Sequence, residues 1–181
     1  MGGLTLAEAD AVVAELRRRI RFCPGARPRR FPVTVVGSVR RRAPRNSDID
    51  LLVSVPTNRK DIDRVLPSTT FTDGKNDAVK ILAVYANGTR KRSFFVSYGG
   101  KRIGVDLFLT TTRARPFALF HWTGPASYNI RTRRLAKLKG LTLNQYGLFR
   151  IDTGRPVAGI TTEKGITNYL GIHHRAPERR R

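Results

Sequence analysis

With Cys23 as its one cysteine, the chain can form no intrachain disulfide, which excludes a disulfide-stapled secreted scaffold. Long apolar runs are missing too. None approaches the roughly 20 residues needed to cross a bilayer, and Met1-Gly2-Gly3-Leu4 lacks the basic and apolar regions of a signal peptide. Acids are scarce: 13 Asp and Glu stand against 35 Lys and Arg, a formal net charge of +22. What is present is a foldable body. An apolar content of 40% with nine Phe, five Tyr and one Trp in 181 residues can bury a core, so the basic charge sits on one domain or two small ones and not on a disordered tail. Arg outnumbers Lys 27 to 8, and a forked guanidinium suits phosphate better than a point ammonium does. The expected partner is a polyanion, nucleic acid ahead of an anionic membrane surface, and the expected setting is intracellular or virion-type and soluble.

Thr5-Leu6-Ala7-Glu8 is a capping box, and Leu6, Ala9, Val13, Leu16 and Ile20 follow at helical spacing, which predicts a helix over 5–21. Cys23 to Pro28 breaks it. Phe31 to Val36 is a short β-branched run ending at Gly37-Ser38, Ile49 to Val55 a second strand, and Asn58 to Leu66 a short helix stopped by Pro67. Three apolar runs, Ala78 to Ala86, Ser93 to Tyr98 and Ile103 to Leu109, are divided by Asn87-Gly88 and Gly99-Gly100 and so form an antiparallel meander. From Pro116 the pattern is helical, with a second start at Gly124-Pro125, where Pro suits a first turn, and a stop near Gly140. Thr162-Glu163 opens a small helix in the tail, and no internal repeat is visible beyond the terminal Arg179-Arg180-Arg181 run. The expectation is an α+β part over residues 1–109 and a smaller, mainly helical part over 110–181. Residues 1–112 carry 21 bases and 10 acids, residues 113–181 carry 14 and 3, so both parts are equally basic and both are expected to touch the partner.

Because acids are few, their placement is informative. Asp48 and Asp50 flank Ile49 at the start of a strand, where a period of two puts both carboxylates on one face. In Ile103-Gly104-Val105-Asp106-Leu107-Phe108 the same alternation buries Val105 and Leu107 and turns Asp106 to the other face. If the two strands are neighbours, three carboxylates converge, an arrangement that makes physical sense chiefly around hard divalent cations, magnesium first. The plainer alternative is a turn for Asp48 and Asp50 and a salt bridge to arginine for Asp106. Upstream, Gly37-Ser38-Val39-Arg40-Arg41 follows a strand, so backbone amides, the Ser38 hydroxyl and two guanidinium groups can face a phosphate chain; a solvated basic turn is the competing reading.

Gly37-Ser38 followed by Asp48-Ile49-Asp50 and a later Asp106 resembles the polymerase beta-type nucleotidyltransferases, and Gly-Ser-x-Arg-Arg narrows the resemblance to X-family DNA polymerases. Phe120-His121-Trp122-Thr123-Gly124 is similar to the aromatic-Thr-Gly segment that opens this family's nucleotide-binding helix, and Leu143-Asn144-Gln145-Tyr146-Gly147-Leu148 to its Asn-x-Tyr-Gly-Leu pattern. The similarity covers essentially the whole chain. It implies a palm with a mixed or antiparallel sheet flanked by helices, then a small mainly helical C-terminal nucleotide- and DNA-binding domain, with no lyase domain expected ahead of the palm. The resemblance implies that Asp48, Asp50 and Asp106 bind two Mg²⁺ ions, Mn²⁺ being able to substitute, with Asp106 helping to remove the primer hydroxyl proton. It implies triphosphate binding by Gly37, Ser38 and Arg41, with Arg40 a weaker candidate, more suited to DNA. His121, Trp122, Gly124 and Asn129 match nucleotide-side positions; Arg133, one turn beyond Asn129, faces the template strand. Arg131, Arg134, Lys137 and Lys139 complete a basic DNA-binding surface. Trp122 as plain core and Asn129 with Arg133 as a surface pair are the competing readings.

Two departures from the family pattern matter. Gly104 stands where the family often has a basic residue, and His121 replaces a more typical Tyr. His173-His174 with Cys23 matches no zinc spacing. The expected function is template-directed DNA synthesis on gapped or primer-template duplex from dNTPs, in DNA repair of the base-excision type. The protein is expected to be a monomer without membrane attachment, in host cytoplasm or virion if viral. A template-independent nucleotidyltransferase shares the Gly-Ser and Asp-x-Asp elements but not Phe-His-Trp-Thr-Gly, and a non-catalytic basic DNA-binding protein would not need all three acids.

Overall fold

The computed structural model describes residues 3–72 and 78–180, so Met1-Gly2 and Arg181 of the terminal arginine run lie outside the described residues. A short β1 (Leu4–Thr5) leads into α1 (Leu6–Arg19), whose capping box is complete: the Glu8 N–H donates to Thr5 Oγ1 and the Thr5 N–H to Glu8 Oε2 at 2.7 Å. Ala9, Val12, Val13 and Leu16 form its buried stripe. The helix stops at Arg19, two residues before its expected end, because Ile20–Phe22 becomes β2 and pairs with β6 (Thr69–Phe71), burying Ile20 and Phe22. Then come β3 (Val33–Val35), the single helical turn α2 (Gly37–Arg40), β4 (Arg45–Asn46) and β5 (Asp48–Val55). Of the helix expected over 58–66 only a 3₁₀ turn at Ile62–Arg64 forms. The turn that follows is held by buried Arg92, whose guanidinium donates to the carbonyls of Leu66 and Pro67.

The meander follows as read: β7 (Val79–Asn87), β8 (Lys91–Tyr98) and β9 (Lys101–Thr111) pair antiparallel in sequence order. With β3 and β5 they make a five-stranded mixed sheet of order β3-β5-β9-β8-β7, in which β5 and β9 are parallel. One face is dry. Ile49, Leu51, Val53 and Val55 of β5 and Ile103, Val105, Leu107 and Leu109 of β9 pack there against α1. The opposite face is covered only at one end, where Leu52 and Phe108 meet Val36, Ala118, Leu119 and Trp122.

That cover comes from α3 (Arg115–Thr123), which is followed by α4 (Ala126–Leu138), the hairpin β10 (Leu141–Asn144) and β11 (Gly147–Arg150), and α5 (Glu163–Tyr169). Pro125 is the N-cap of α4 and not its first helical residue. A second core joins Phe117 and Phe120 of α3 to Tyr128, Ala136, Leu141, Leu143, Leu148, Ile166 and Leu170. Since Ala118 and Leu119 face the sheet while Phe117 and Phe120 face this core, α3 is shared by both bodies. Among the described residues no helix is long and apolar enough to cross a membrane.

A charged clasp holds the same junction. Arg40 of α2 donates to Glu163 of α5, and Arg180 donates to the same carboxylate at 2.9 Å with its side chain 0% exposed, its guanidinium 5.0 Å from the Phe120 ring centroid. Burial alone would raise the Glu163 pKa, but the hydrogen bond from Arg40 and the charges of Arg180 and Arg40 outweigh it and hold it below the usual carboxylate value. Breaking such a buried pair from one side costs on the order of 3 kcal/mol, so Glu163→Gln should lower the urea midpoint by that equivalent. A carboxylate depressed in the folded state contributes stability above its unfolded pKa and loses it as pH falls through the folded one. Wild type should therefore weaken on acidification to below pH ~4 by more than the Gln variant does, as followed by urea melts across acid pH.

Candidate active site

The parallel register of β5 and β9 sets Asp50 directly opposite Asp106 and Asp48 opposite Gly104, all on the uncovered sheet face. Adjacent strands lie about 4.8 Å apart, so the carboxylates repel. Asp50 shows it: burial first, then the charges of Asp48 and Asp106, push its pKa up to about 6, against the pull of Lys91 and Arg41. Asp48 lies toward solvent beside the Ser47 hydroxyl. Asp106 accepts a hydrogen bond from Ser93 at 2.6 Å and pairs with Lys91 at 2.8 Å.

Beside Asp50 runs the Gly37 turn. Gly37 has φ +61°, and a Cβ there would collide with Asp50 Oδ2, so glycine is required both by the backbone and by the close approach of the carboxylate. Ser38 Oγ donates to Asn46 Oδ1 at 2.6 Å, and the Arg41 guanidinium donates to the Thr123 carbonyl at the end of α3. Gly124 follows with φ +64°, its open side against that same guanidinium.

These groups line a cleft of about 590 Å³ whose far wall is α3 and α4. Gly37, Ser38, Arg41, Asp48, Asp50, His121, Trp122, Gly124, Asn129 and Arg133 all border it, as does Ile130. The wall is pre-ordered. Asn129 donates to the His121 carbonyl at 2.7 Å, Arg133 contacts His121 Nδ1 at 2.6 Å, and Trp122 stacks on Phe108 with ring centroids 3.7 Å apart. Burial first, then the Arg133 charge, lower the His121 pKa to about 4, so the imidazole is neutral near pH 7. Another cavity, about 470 Å³ at the far end of α3, is lined by no carboxylate and no imidazole and lacks the chemistry of the first.

The structure does not bring every candidate to the cleft. Arg40, read as a phosphate or DNA contact, is turned into the protein, bonded to Glu163, Thr123 and the Leu119 carbonyl; a residue 123 positions away in sequence claims it. Arg131, Arg134, Lys137 and Lys139 are exposed but lie off the cleft, on α4 and at its C-cap. Sequence reasoning missed Lys91 and Ser93. The Gly99-Gly100 turn pairs Tyr98 with Lys101, and continuing that register places Ser93 opposite Asp106, so the signal was present in the hairpin.

Among the described residues no three acidic, imidazole or thiolate groups close into a ready metal cluster, since Asp106 is tied to Lys91 and Ser93 and Asp48 faces outward. The donor set nevertheless fits hard dications. It is all oxygen, burial together with the Asp48 and Asp106 charges raises Asp50, and Gly37 leaves the room that Asp50 uses.

Comparison with known proteins gives the family and the fold. A family model, DNA polymerase beta thumb, matches residues 118–181. Repair DNA polymerase X of African swine fever virus is 37% identical over 180 residues, covering 98% of this chain and 99% of that protein. Two solved structures of Leishmania infantum polymerase beta, a ternary P/T complex and a ternary gap complex, each match with a TM-score of 0.73. At 21% and 20% identity they cover 98% of this chain and 76% and 70% of theirs. The fold is thus that of polymerase beta, and near-full-length identity to the viral enzyme places the chain in the X family of DNA polymerases.

Proposed function

We propose that this X-family DNA-directed DNA polymerase fills short gaps in DNA by transferring nucleotides from dNTPs to a primer 3′-hydroxyl in the cleft between the sheet and α4, acting as a monomer. The observation that carries this reading is Asp50 facing Asp106 across β5 and β9 beside a glycine turn, with Asp48 and Asp50, though not Asp106, bordering a cleft that also holds a neutral histidine, an asparagine and an arginine.

Asp48, Asp50 and Asp106 are the residues that would hold two divalent cations, with Mg²⁺ the natural choice for carboxylate oxygens and Mn²⁺ a substitute. Bound there, such ions supply charge neutralisation at phosphoryl oxygens and activation of the hydroxyl. The chain's own groups do the rest. The amides of the Gly37–Ser38 turn, the Ser38 hydroxyl and Arg41 bind the triphosphate and hold its α-phosphorus in line with the attacking oxygen. Trp122, held flat by Phe108, and His121 form the floor beside the sugar, with Asn129 fixing the His121 backbone. Arg133 lies toward the template side. Arg131, Arg134, Lys137 and Lys139 form an outer basic surface that meets the duplex backbone without reading sequence. Residues 1–109 serve as the palm and 110–181 as the nucleotide- and DNA-binding part.

Primer extension on a gapped duplex with four dNTPs and Mg²⁺ tests the proposal; untemplated addition, or none, would refute it. Asp50→Asn and Asp106→Asn should each lower incorporation at least about 100-fold, since charge stabilisation at a phosphoryl centre is worth several kcal/mol, while DNA binding measured by anisotropy holds or tightens. Arg133→Ala should reduce correct incorporation by about tenfold or more, the loss of a charge-assisted contact, whereas Arg134→Ala, about 100° further round α4, should have little effect in single-turnover assays. Duplex affinity should fall on the order of a hundredfold or more between about 50 and 200 mM salt, as released counterions require; a flat salt titration would contradict the basic surface.

A further inference from the structure

We infer that Lys91 is a resident counter-ion of the carboxylate site: its ammonium holds Asp106 until a divalent cation arrives and is displaced when that cation binds. This rests on the reading of Asp48, Asp50 and Asp106 as metal-holding residues.

The geometry gives Asp106 two partners, one per oxygen. Ser93 Oγ donates to Oδ1 at 2.6 Å and Lys91 Nζ sits 2.8 Å from Oδ2. Among the described residues this is the one ion pair made by any of the three carboxylates. Lys91 opens β8 opposite Phe108, and its Nζ lies 5.4 Å from the Phe108 ring centroid, so the aromatic that supports Trp122 also supports the ammonium from beneath. No residue on β9 duplicates the role, because Gly104, two before Asp106 and on the same face, carries no side chain.

The side chain is 49% exposed on a flexible four-carbon stem, so it can leave Asp106 without disturbing the strand. An ammonium carries one charge and only donates hydrogen bonds, so it neutralises one carboxylate and cannot draw three together; a dication can. Both draw on the same carboxylate. Two roles can then be separated by sign. If Lys91 competes with the metal, deleting its charge tightens metal binding and destabilises the metal-free protein. A lysine that merely orients Asp106 and stays there would, when removed, leave metal affinity unchanged or weaken it.

The experiment titrates full-length protein with Mn²⁺ alone, without DNA or nucleotide, following free Mn²⁺ by electron paramagnetic resonance, and records melting temperatures in EDTA and in Mn²⁺. Lys91→Met should bind Mn²⁺ about tenfold tighter, the lower end of what one contacting opposite charge does to a carboxylate's affinity for a proton. It should melt lower than wild type in EDTA and gain more from Mn²⁺. Lys91→Gln, a polar replacement should Met perturb the strand, should change affinity in the same direction, and Lys91→Arg should stay near wild type. Equal or weaker Mn²⁺ binding by Lys91→Met and Lys91→Gln overturns the inference. Asp106→Asn distinguishes that failure from failure of the metal site itself: if it too leaves Mn²⁺ affinity unchanged, Asp106 holds no metal and the inference falls with that reading.

Discussion

The parallel pairing of β5 with β9 is the constraint on which the rest of the molecule turns. With side chains alternating between faces, a slip of one residue would send either Asp50 or Asp106 into the core that Ile49, Leu51, Val105 and Leu107 fill. The hydrophobic pattern therefore locks the register, and the register locks the carboxylates together. A parallel pair cannot be closed by a tight turn, and the long excursion between the strands is put to use: it returns as β8, bringing Lys91 and Ser93 alongside Asp106. Burial first, then the Asp48 and Asp106 charges that this register brings close, raise Asp50 to about 6.

A site of this kind needs a second wall at fixed distance from the first, and here that wall hangs on an unusual helix. α3 has a side for each core, so the sheet and the C-terminal body cannot shift without repacking Ala118 and Leu119 against one or Phe117 and Phe120 against the other. The Arg40–Glu163–Arg180 clasp closes the same joint. Charges buried this way add little net stability compared with apolar packing, but they tolerate few alternative geometries. Arg40 and its neighbour Arg41 thus divide the labour: one ties α2 to α5, the other reaches Thr123 from within the cleft.

The faces of the carboxylates and the place of the glycine turn were legible in the sequence because they depend on local pattern. Alternation put Asp48 and Asp50 on one face and turned Asp106 away from Val105 and Leu107, and Gly37 needed only its place after a strand, but the pairing that sets Asp106 beside Asp50 joins strands more than 50 residues apart and lay beyond periodicity. Residues whose roles depend on distant partners were not legible. Arg40 looks the same as Arg41 until Glu163 is brought beside it, and Ile20 continues a helical stripe until β6 offers a strand partner. The 58–66 segment misled because the turn at its end is held from β8, where Arg92 donates to the carbonyls of Leu66 and Pro67, a partner about 25 residues away that nothing local announces. Ser93 and Lys91 stand between these cases, since the hairpin at Gly99-Gly100 encodes their position but nothing local marks them as functional.

His121 departs from the family pattern, and its surroundings fix how its ring can hydrogen-bond. Arg133 carries no acceptor, so its contact with Nδ1 makes that nitrogen the acceptor. A ring whose pKa is lowered to about 4 is neutral near pH 7, and a neutral imidazole that accepts at Nδ1 must carry its proton on Nε2. The residue therefore presents one N–H donor, as a tyrosine would present one O–H, and Arg133 selects that tautomer. The imidazole ties the C-terminal end of α3 to Arg133 of α4. Any group that drew Arg133 away would free Nδ1, remove the nearest cation, and let the imidazole take up a proton more readily.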